Sequence, residues 1–335
     1  MALLRGVSRS FYVSIRLLPA ELRRPIALAY LLARATDTVA DTATVATSAR
    51  SEMLGRLARL IDGASANMVG NELPTLQEHL DGNERELILA LPHCLEGLAT
   101  LDAADRADVQ AVLRTITQGQ LLDLQRFGDT GSVTALESAA QLDEYTYLVA
   151  GCVGEFWTEL CSRHLAGFAK LPELEMRRLG RSYGMGLQLV NVLRDLGNDL
   201  ASGRCYLPAD ELRTLGLDPA DILARPDSVK PVWDLWLARA QLGLDDGMRY
   251  AHAVNHRRVR AASAMPALLG ARTLALLRMA GPGVAIARKV KVPRSEVRSM
   301  MAAIAFTLAG RSSLQRQFER MQRGTSMPGW DNPRT

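Results

Sequence analysis

Two rows of polar side chains in this 335-residue chain have a spacing that could do chemistry. Asp37 and Asp41 are four residues apart, which on a helix puts both on one face with about 6 Å of rise between them. Like charges so placed repel. At the end of the almost wholly apolar run Pro25-Ile-Ala-Leu-Ala-Tyr-Leu-Leu-Ala-Arg-Ala-Thr-Asp37 they need compensation, which a hard divalent cation with oxygen ligands would supply. The second row lies in Gln188-Leu-Val-Asn191-Val-Leu-Arg194-Asp195-Leu-Gly-Asn198-Asp199, where Asn191, Asp195 and Asp199 fall at i, i+4 and i+8 along about 12 Å of helix. The intervening Leu189, Val190, Val192, Leu193 and Leu196 bury that helix, so its inward polar groups require partners. Taken alone, Asp37 and Asp41 read as a solvated helix end. Two such rows on two apolar helices favour the alternative: Asp37, Asp41, Asn191, Asp195 and Asp199 holding Mg2+ between them. Mg2+ commonly takes one or two carboxylates plus substrate phosphates, so a diphosphate is the natural ligand. Arg34, Arg194 and Arg204 fit it, because guanidinium matches phosphate in geometry as well as charge. Each of the three could instead be a structural partner of an aspartate.

The elements that must position these rows are helices. None of the fourteen prolines falls between Pro25 and Pro74 or between Pro92 and Pro172, and those gaps are rich in Ala, Leu, Arg, Gln and Glu. Alternating β-branched or aromatic runs are almost absent, which predicts an all-α fold. Pro25 suits a first helical turn, and the run it opens is apolar nearly all round, as in a helix inside a bundle. Further helices are predicted over 174–200, 102–127 and 142–165. Pro208 to Pro231, with four prolines and the turn signals Gly216 and Asp218-Pro219, reads as a connection between two helical layers. One domain over 1–323 and a loosely ordered tail over 324–335 complete the expected organisation.

Composition excludes several classes. Hydrophobic residues make up 48% and charged residues 23%, which rules out disorder and collagen-like repetition. The net charge is +4 with basic residues scattered along the chain, so no nucleic-acid footprint is indicated. Cys94, Cys152, Cys161 and Cys205 show no Cys-x-x-Cys spacing and read as reduced core thiols. Met1 to Arg9 lacks the apolar stretch of a secretory signal, and Ala261 to Ile286 is interrupted by Arg272, Arg278, Pro266, Pro282 and Gly283. A cytoplasmic protein is expected.

The motifs together resemble the squalene and phytoene synthase family, enzymes that join two isoprenoid diphosphates head to head. Ser8-Arg-Ser10-Phe11 with Tyr30-Leu-Leu-Ala-Arg34-Ala-Thr-Asp37-Thr-Val-Ala-Asp41 is similar to the family's first substrate and metal region. Gln188 to Asp199, followed by Gly203-Arg204-Cys-Tyr206-Leu-Pro208, is similar to its second. Between them, Tyr145-Thr-Tyr147-Leu-Val-Ala-Gly151-Cys-Val-Gly154 resembles the family's tyrosine-containing helix. The order of the motifs covers most of the chain, and the first is closer to the squalene-forming branch than to the carotenoid-forming branch with its adjacent aspartates.

The resemblance implies a single all-α domain with a deep central cavity, aspartate rows at its mouth and apolar walls below. It implies farnesyl diphosphate as substrate, with Ser8, Ser10, Phe11, Tyr30, Arg34, Gln188, Asn191, Arg204 and Tyr206 as binding residues. Asp37, Asp41, Asp195, Asp199, Arg194, Tyr145 and Tyr147 are implied in catalysis: Mg2+ and arginines stabilise a leaving diphosphate, and the allylic cation is attacked by a second farnesyl chain. The cyclopropyl product, presqualene diphosphate, would ionise again and be quenched by hydride from NADPH to give squalene. Such cations survive only away from water, which suits apolar helices around polar rows. Lys289, Lys291 and Arg294, in the looser match Val290-Lys-Val-Pro-Arg294, are candidates for the NADPH phosphates; a plain basic surface is the alternative. Two departures bear on the product, Leu148 where animal squalene synthases carry tyrosine and Ala262 where they carry phenylalanine. Without hydride, water capture would give hydroxysqualene and proton loss dehydrosqualene; a phytoene synthase is the other branch. A non-catalytic membrane-associated scaffold is the competing class, and all four aspartates being present weighs against it.

Other signals lead elsewhere. His252 and His256 are four apart without a third ligand and read as a solvated helix face. Gly184-Met-Gly186 lacks the third glycine and the preceding strand of a dinucleotide fingerprint. No anchor helix is read after Pro293, so only transient contact with a membrane surface is expected.

Overall fold

The computed structural model describes residues 2–7, 9–64, 79–128, 131–307 and 309–323, without the side chains of residues 2, 9–11 and 13. Ser8 and the side chains of Ser10 and Phe11 therefore lie outside the described residues, as does the tail over 324–335. In chain order the helices are α1 (Ala2–Val7), α2 (Arg9–Leu17), α3 (Ala20–Asp41), α4 (Thr47–Ile61), α5 (Gly82–Leu89), α6 (Leu91–Ala99), α7 (Ala103–Phe127), α8 (Ala139–Thr146) and α9 (Cys152–His164). They continue as α10 (Glu173–Ala201), α11 (Ala209–Thr214), α12 (Lys230–Ala253), α13 (Arg257–Ala287), α14 (Arg294–Phe306) and α15 (Arg311–Gln322). No described helix is long and apolar enough to cross a membrane.

The apolar side chains form two cores. One gathers α1 to α7 with α9, around Leu22, Leu32, Leu54, Val109 and Leu160. The other gathers α12 to α15, around Trp233, Trp236, Leu268, Leu274 and Leu314. Three long helices belong to both: α10 gives Met176 and Leu179 to the first core and Leu189 to Leu200 to the second, α12 gives Tyr250 and Ala253 to the first and Trp233 and Trp236 to the second, and α13 gives Val259 to the first and Leu268 to the second. Sharing these helices makes the bundle one domain.

Sequence and structure differ in a few places, each for a local reason. Helix α3 begins at Ala20, so Pro25 sits inside it. The missing N–H costs only one bond, to the Glu21 carbonyl near the N-terminus, and burial of the rest of the helix offsets it. The helix predicted over 142–165 is broken by a π-turn at Tyr147–Gly151 between α8 and α9. The Pro208 to Pro231 region holds α11 and two 3₁₀ turns, the first capped by Asp218. His252 and His256 do not share a helix face: α12 ends at Ala253 and His256 stands just before α13, and both imidazoles are half-buried rather than solvated.

Two glycine contacts set the distance between α9 and α10. A Cβ on Gly154 would lie 1.9 Å from the Gly180 carbonyl oxygen, and one on Gly184 would lie 2.2 Å from the Ala150 oxygen. The Gly151-Cys-Val-Gly154 motif is thus a packing device that lets the π-turn and α9 press onto the helix carrying the second polar row. A two-stranded parallel ladder, β1 (Thr134–Ala135) with β2 (Arg204–Cys205), pins the segment after α10 to the loop after α7.

Candidate active site

The site lies where the two cores meet, in a cavity of about 820 Å3. Helix α3 delivers Arg34, Asp37 and Asp41 to its lining, α10 delivers Gln188, Asn191, Arg194 and Asp195, and the strand after α10 delivers Arg204 and Tyr206. Apolar lining comes from Leu124, Phe127, Val133, Val149 and Leu200. The two rows predicted to face each other do open onto one space.

Each row has its own electrostatics. Asp37 accepts a hydrogen bond from Gln120 Nε2 at 2.5 Å, and Arg34 Nη1 stands 4.0 Å from its other oxygen. The carboxyl lies half-buried in the cavity lining, and desolvation, reinforced by the charge of Asp41, pushes its pKa up to about 6. Arg34 is shared with Glu84, at 2.7 Å. Asp41 is the most open of the four aspartates, with Arg204 Nη1 at 3.9 Å. Across the cavity, Arg194 Nη2 donates to Asp195 at 2.5 Å and Lys289 Nζ lies 2.6 Å from its second oxygen. Burial pulls this carboxyl up, but the hydrogen bonds from Arg194 and Lys289 outweigh it and hold it below the usual range. Asp199 sits behind the lining, half-buried; desolvation pushes it up to about 7 against the pull of Arg204.

A chain of aromatic and amide groups runs from the second row along the cavity wall to Asp123 on α7. Gln188 Nε2 donates to the Tyr145 hydroxyl at 3.1 Å, and Asn191 donates to Gln188 at 3.2 Å. Tyr145 stacks on Tyr206 with centroids 4.6 Å apart, and the Tyr206 hydroxyl donates a short hydrogen bond to Asp123. Desolvation pushes Asp123 up to about 7 even with that donor in place.

Of the two candidate tyrosines only Tyr145 lines the cavity. Residues two apart on a helix point to nearly opposite faces. Tyr147 instead donates to Glu155 at 3.2 Å with Arg181 over its ring at 5.3 Å, so its role is in packing α9 against α10. Tyr30 packs against the first core, outside the lining. Lys289, Lys291 and Arg294 do not converge: the first is on Asp195, and the other two are exposed and outside the lining.

Several lining residues escaped the sequence reading. Gln120, Asp123 and Phe127 fall at i, i+3 and i+7 on α7, one stripe facing the cavity. Their spacing was visible, but a polar stripe on a long mixed helix points to solvent unless its neighbours are known. Arg50 on α4, buried, donates to the Ala40 carbonyl at 2.7 Å and so caps the end of α3 between the two aspartates.

The donor set is of the kind Mg2+ takes: Asp37, Asp41, Asn191 and Asp195 bring carboxylate and amide oxygens to one cavity. Among the described residues no three acidic, His or Cys side chains stand together as a metal cluster. The desolvated Asp37 and Asp199 are the groups a cation would relieve.

A family model described as squalene/phytoene synthase matches residues 4–296. The chain belongs to that family. Its members are prenyltransferases that condense isoprenoid diphosphates head to head, and they generally use Mg2+ to bind diphosphate. Phytoene synthase 1 of Zea mays is 29% identical over 220 residues, 64% of this chain and 45% of the relative. Squalene synthase of Saccharomyces cerevisiae is 29% identical over 210 residues, 62% of this chain and 44% of the relative. A bifunctional lycopene cyclase/phytoene synthase of Phaeosphaeria nodorum is 29% identical over 232 residues, 68% of this chain and 36% of the relative. The matched region thus spans less than half the length of these curated relatives. Among solved structures, TcSQS in complex with the ligand E5700 superposes with a TM-score of 0.71 over 96% of both chains at 21% identity. A dehydrosqualene synthase gives 0.61 at 20% identity, over 90% of this chain and 92% of that one. At such identities the likeness establishes the fold.

Proposed function

We propose that the protein is a Mg2+-dependent farnesyl-diphosphate farnesyltransferase that makes presqualene diphosphate, and that squalene is the final product when NADPH is supplied. The observation that carries this is the pair of polar rows, Asp37 with Asp41 and Asn191 with Asp195, opening onto one cavity with Arg34, Arg194 and Arg204 among them. Asp37, Asp41, Asp195 and Asp199, with Asn191, would hold Mg2+, which when bound neutralises diphosphate and eases its departure. Arg34 and Arg204 flank the first row and would orient the diphosphate. Leu124, Phe127, Val133 and Val149 exclude water where an allylic cation would form. The hydroxyls of Tyr145 and Tyr206 stand at the wall between rows, where a proton can be passed to the leaving group.

A second reading closes the reaction without reduction, giving hydroxysqualene or dehydrosqualene. Lys289 being engaged by Asp195 supports it, as do Leu148 and Ala262. Incubation with farnesyl diphosphate and Mg2+, with and without NADPH, separates these readings by product mass. Squalene only with NADPH is expected; hydroxysqualene or dehydrosqualene in both arms selects the second reading. A C40 product from geranylgeranyl diphosphate alone would make it a phytoene synthase, and no pyrophosphate release in any arm rejects prenyl transfer. The reading includes a cytoplasmic protein in transient contact with a membrane, because the substrate is amphiphilic and the product a hydrocarbon.

A further inference from the structure

Charge is distributed unevenly along the chain. Residues 288–323 carry nine Lys or Arg against two Asp or Glu, a net +7, while the whole chain carries +4, so the remainder sums to −3. Both acids of that segment are already engaged. Glu296 meets the buried Arg272 guanidinium at 2.7 Å, and Glu319 lies 3.6 Å from Arg323. The scatter of basic residues along the chain thus hides a basic C-terminal segment.

Within that segment α14 is held by one face. Met300 and Ile304 are its buried residues. Opposite them, Ser295, Arg298, Ser299, Ala302, Ala305 and Phe306 are exposed, and at 100° per residue they fall within an arc of roughly 120°. Phe306 is 94% exposed, more than any other large apolar side chain among the described residues. One exposed apolar residue needs no explanation. Here it ends a helix whose same face carries Arg298, with exposed Lys291 and Arg294 just before.

We propose that this face of α14 is the contact surface for an anionic phospholipid bilayer. Lys291, Arg294 and Arg298 would meet headgroup phosphates, and Phe306 with Ala302 and Ala305 would enter the interface. Each basic residue near an anionic surface adds to binding, and an aromatic ring settles at the boundary between headgroups and chains. A second copy of the chain is a poorer occupant, since it would bring an equally basic face against this one. The location also suits the chemistry. Arg294 follows Lys289 by five residues, and Lys289 touches Asp195 at the cavity; from there α14 runs toward Ala309, whose carbonyl accepts from Arg260 at 2.9 Å. Lys289 thus links the segment that leads into α14 to the second aspartate row.

Docking here deepens the membrane contact included in the function proposed above. The test is co-sedimentation of the full chain with vesicles of phosphatidylglycerol or of phosphatidylcholine, in low and high salt. Pyrophosphate release from farnesyl diphosphate is measured separately in detergent, so loss of docking and absence of prenyl transfer are told apart. Binding to phosphatidylglycerol vesicles that is weakened by salt is expected, falling tenfold or more in Arg298→Glu and several-fold in Phe306→Ser, with turnover in detergent unchanged. Equal binding to both lipids, no binding, or variants that bind like the parent would overturn the proposal. So would a dimer in solution that Phe306→Ser dissociates.

Discussion

At the scale of residues, Gln120 donates the hydrogen bond that, with Arg34, opposes the desolvation and the Asp41 charge acting on Asp37. Removing that donor in Gln120→Leu leaves a desolvated carboxylate beside Asp41 with only Arg34 to balance it. A hydrogen bond to a charged group is worth about 1.5–3 kcal/mol, so the Mg2+ concentration for half-maximal pyrophosphate release should rise by about tenfold or more. A Mg2+ titration checks this; an unchanged midpoint would separate Asp37 from metal binding. Asp195→Ala makes the complementary case, because Arg194 and Lys289 both lose their carboxylate. Turnover should fall at least about a hundredfold while the helical circular-dichroism signal stays, and retained activity would reject the second row as a metal site. The two predictions differ in how visible their residues were. Asp37, Asp41, Asn191 and Asp195 announced themselves because their spacing put charge on helices otherwise too apolar to carry it. Gln120 and Asp123 sit on a helix of mixed character, where only the approach of α3 and of the strand after α10 turns their stripe inward.

At the scale of elements, the close approach of α9 to α10 rests on glycine. Gly154→Ala would force a methyl into the Gly180 carbonyl, so the helices must separate, at a cost of about 3 kcal/mol. Gly55→Ala is the control: on α4 the added carbon meets nothing closer than Arg59 Nη1 at 3.7 Å, and stability should rise by about 0.5–1 kcal/mol. Thermal unfolding of both variants tests the pair, and equal effects would contradict the packing role. The long helices were legible because proline-free, periodic stretches leave few alternatives: α7 and α10 run within a residue or two of the predicted ranges. The π-turn at Tyr147–Gly151 was not, since nothing local forbids a continuous helix there; the turn comes where Gly151 and Gly154 press onto α10. The same break accompanies the sorting of Tyr145 into the cavity and Tyr147 out of it.

At the scale of the whole molecule, the bundle keeps several carboxyls in an unfavourable state, and that sets a sign for its response to pH. Asp37 is raised to about 6, and Asp123 and Asp199 to about 7, each chiefly by desolvation, from an ordinary value near 3.8. Between about pH 4 and 7 the native protein therefore binds more protons at these groups than the unfolded chain does, and stability falls as pH rises through that window. Asp195, held below its ordinary value, acts in the opposite direction, but only as pH falls toward its own lowered range. By pH 8 the three raised groups are ionised and their cost is complete. Mg2+ with pyrophosphate binds the ionised form and stabilises the native state by mass action. The gain in melting temperature on adding both should thus be larger at pH 8 than at pH 5.5, and Asp37→Asn or Asp199→Asn should narrow that difference. Differential scanning calorimetry at the two pH values decides it. Equal gains would mean that the carboxyls facing the junction of the two cores are not the groups the cation relieves.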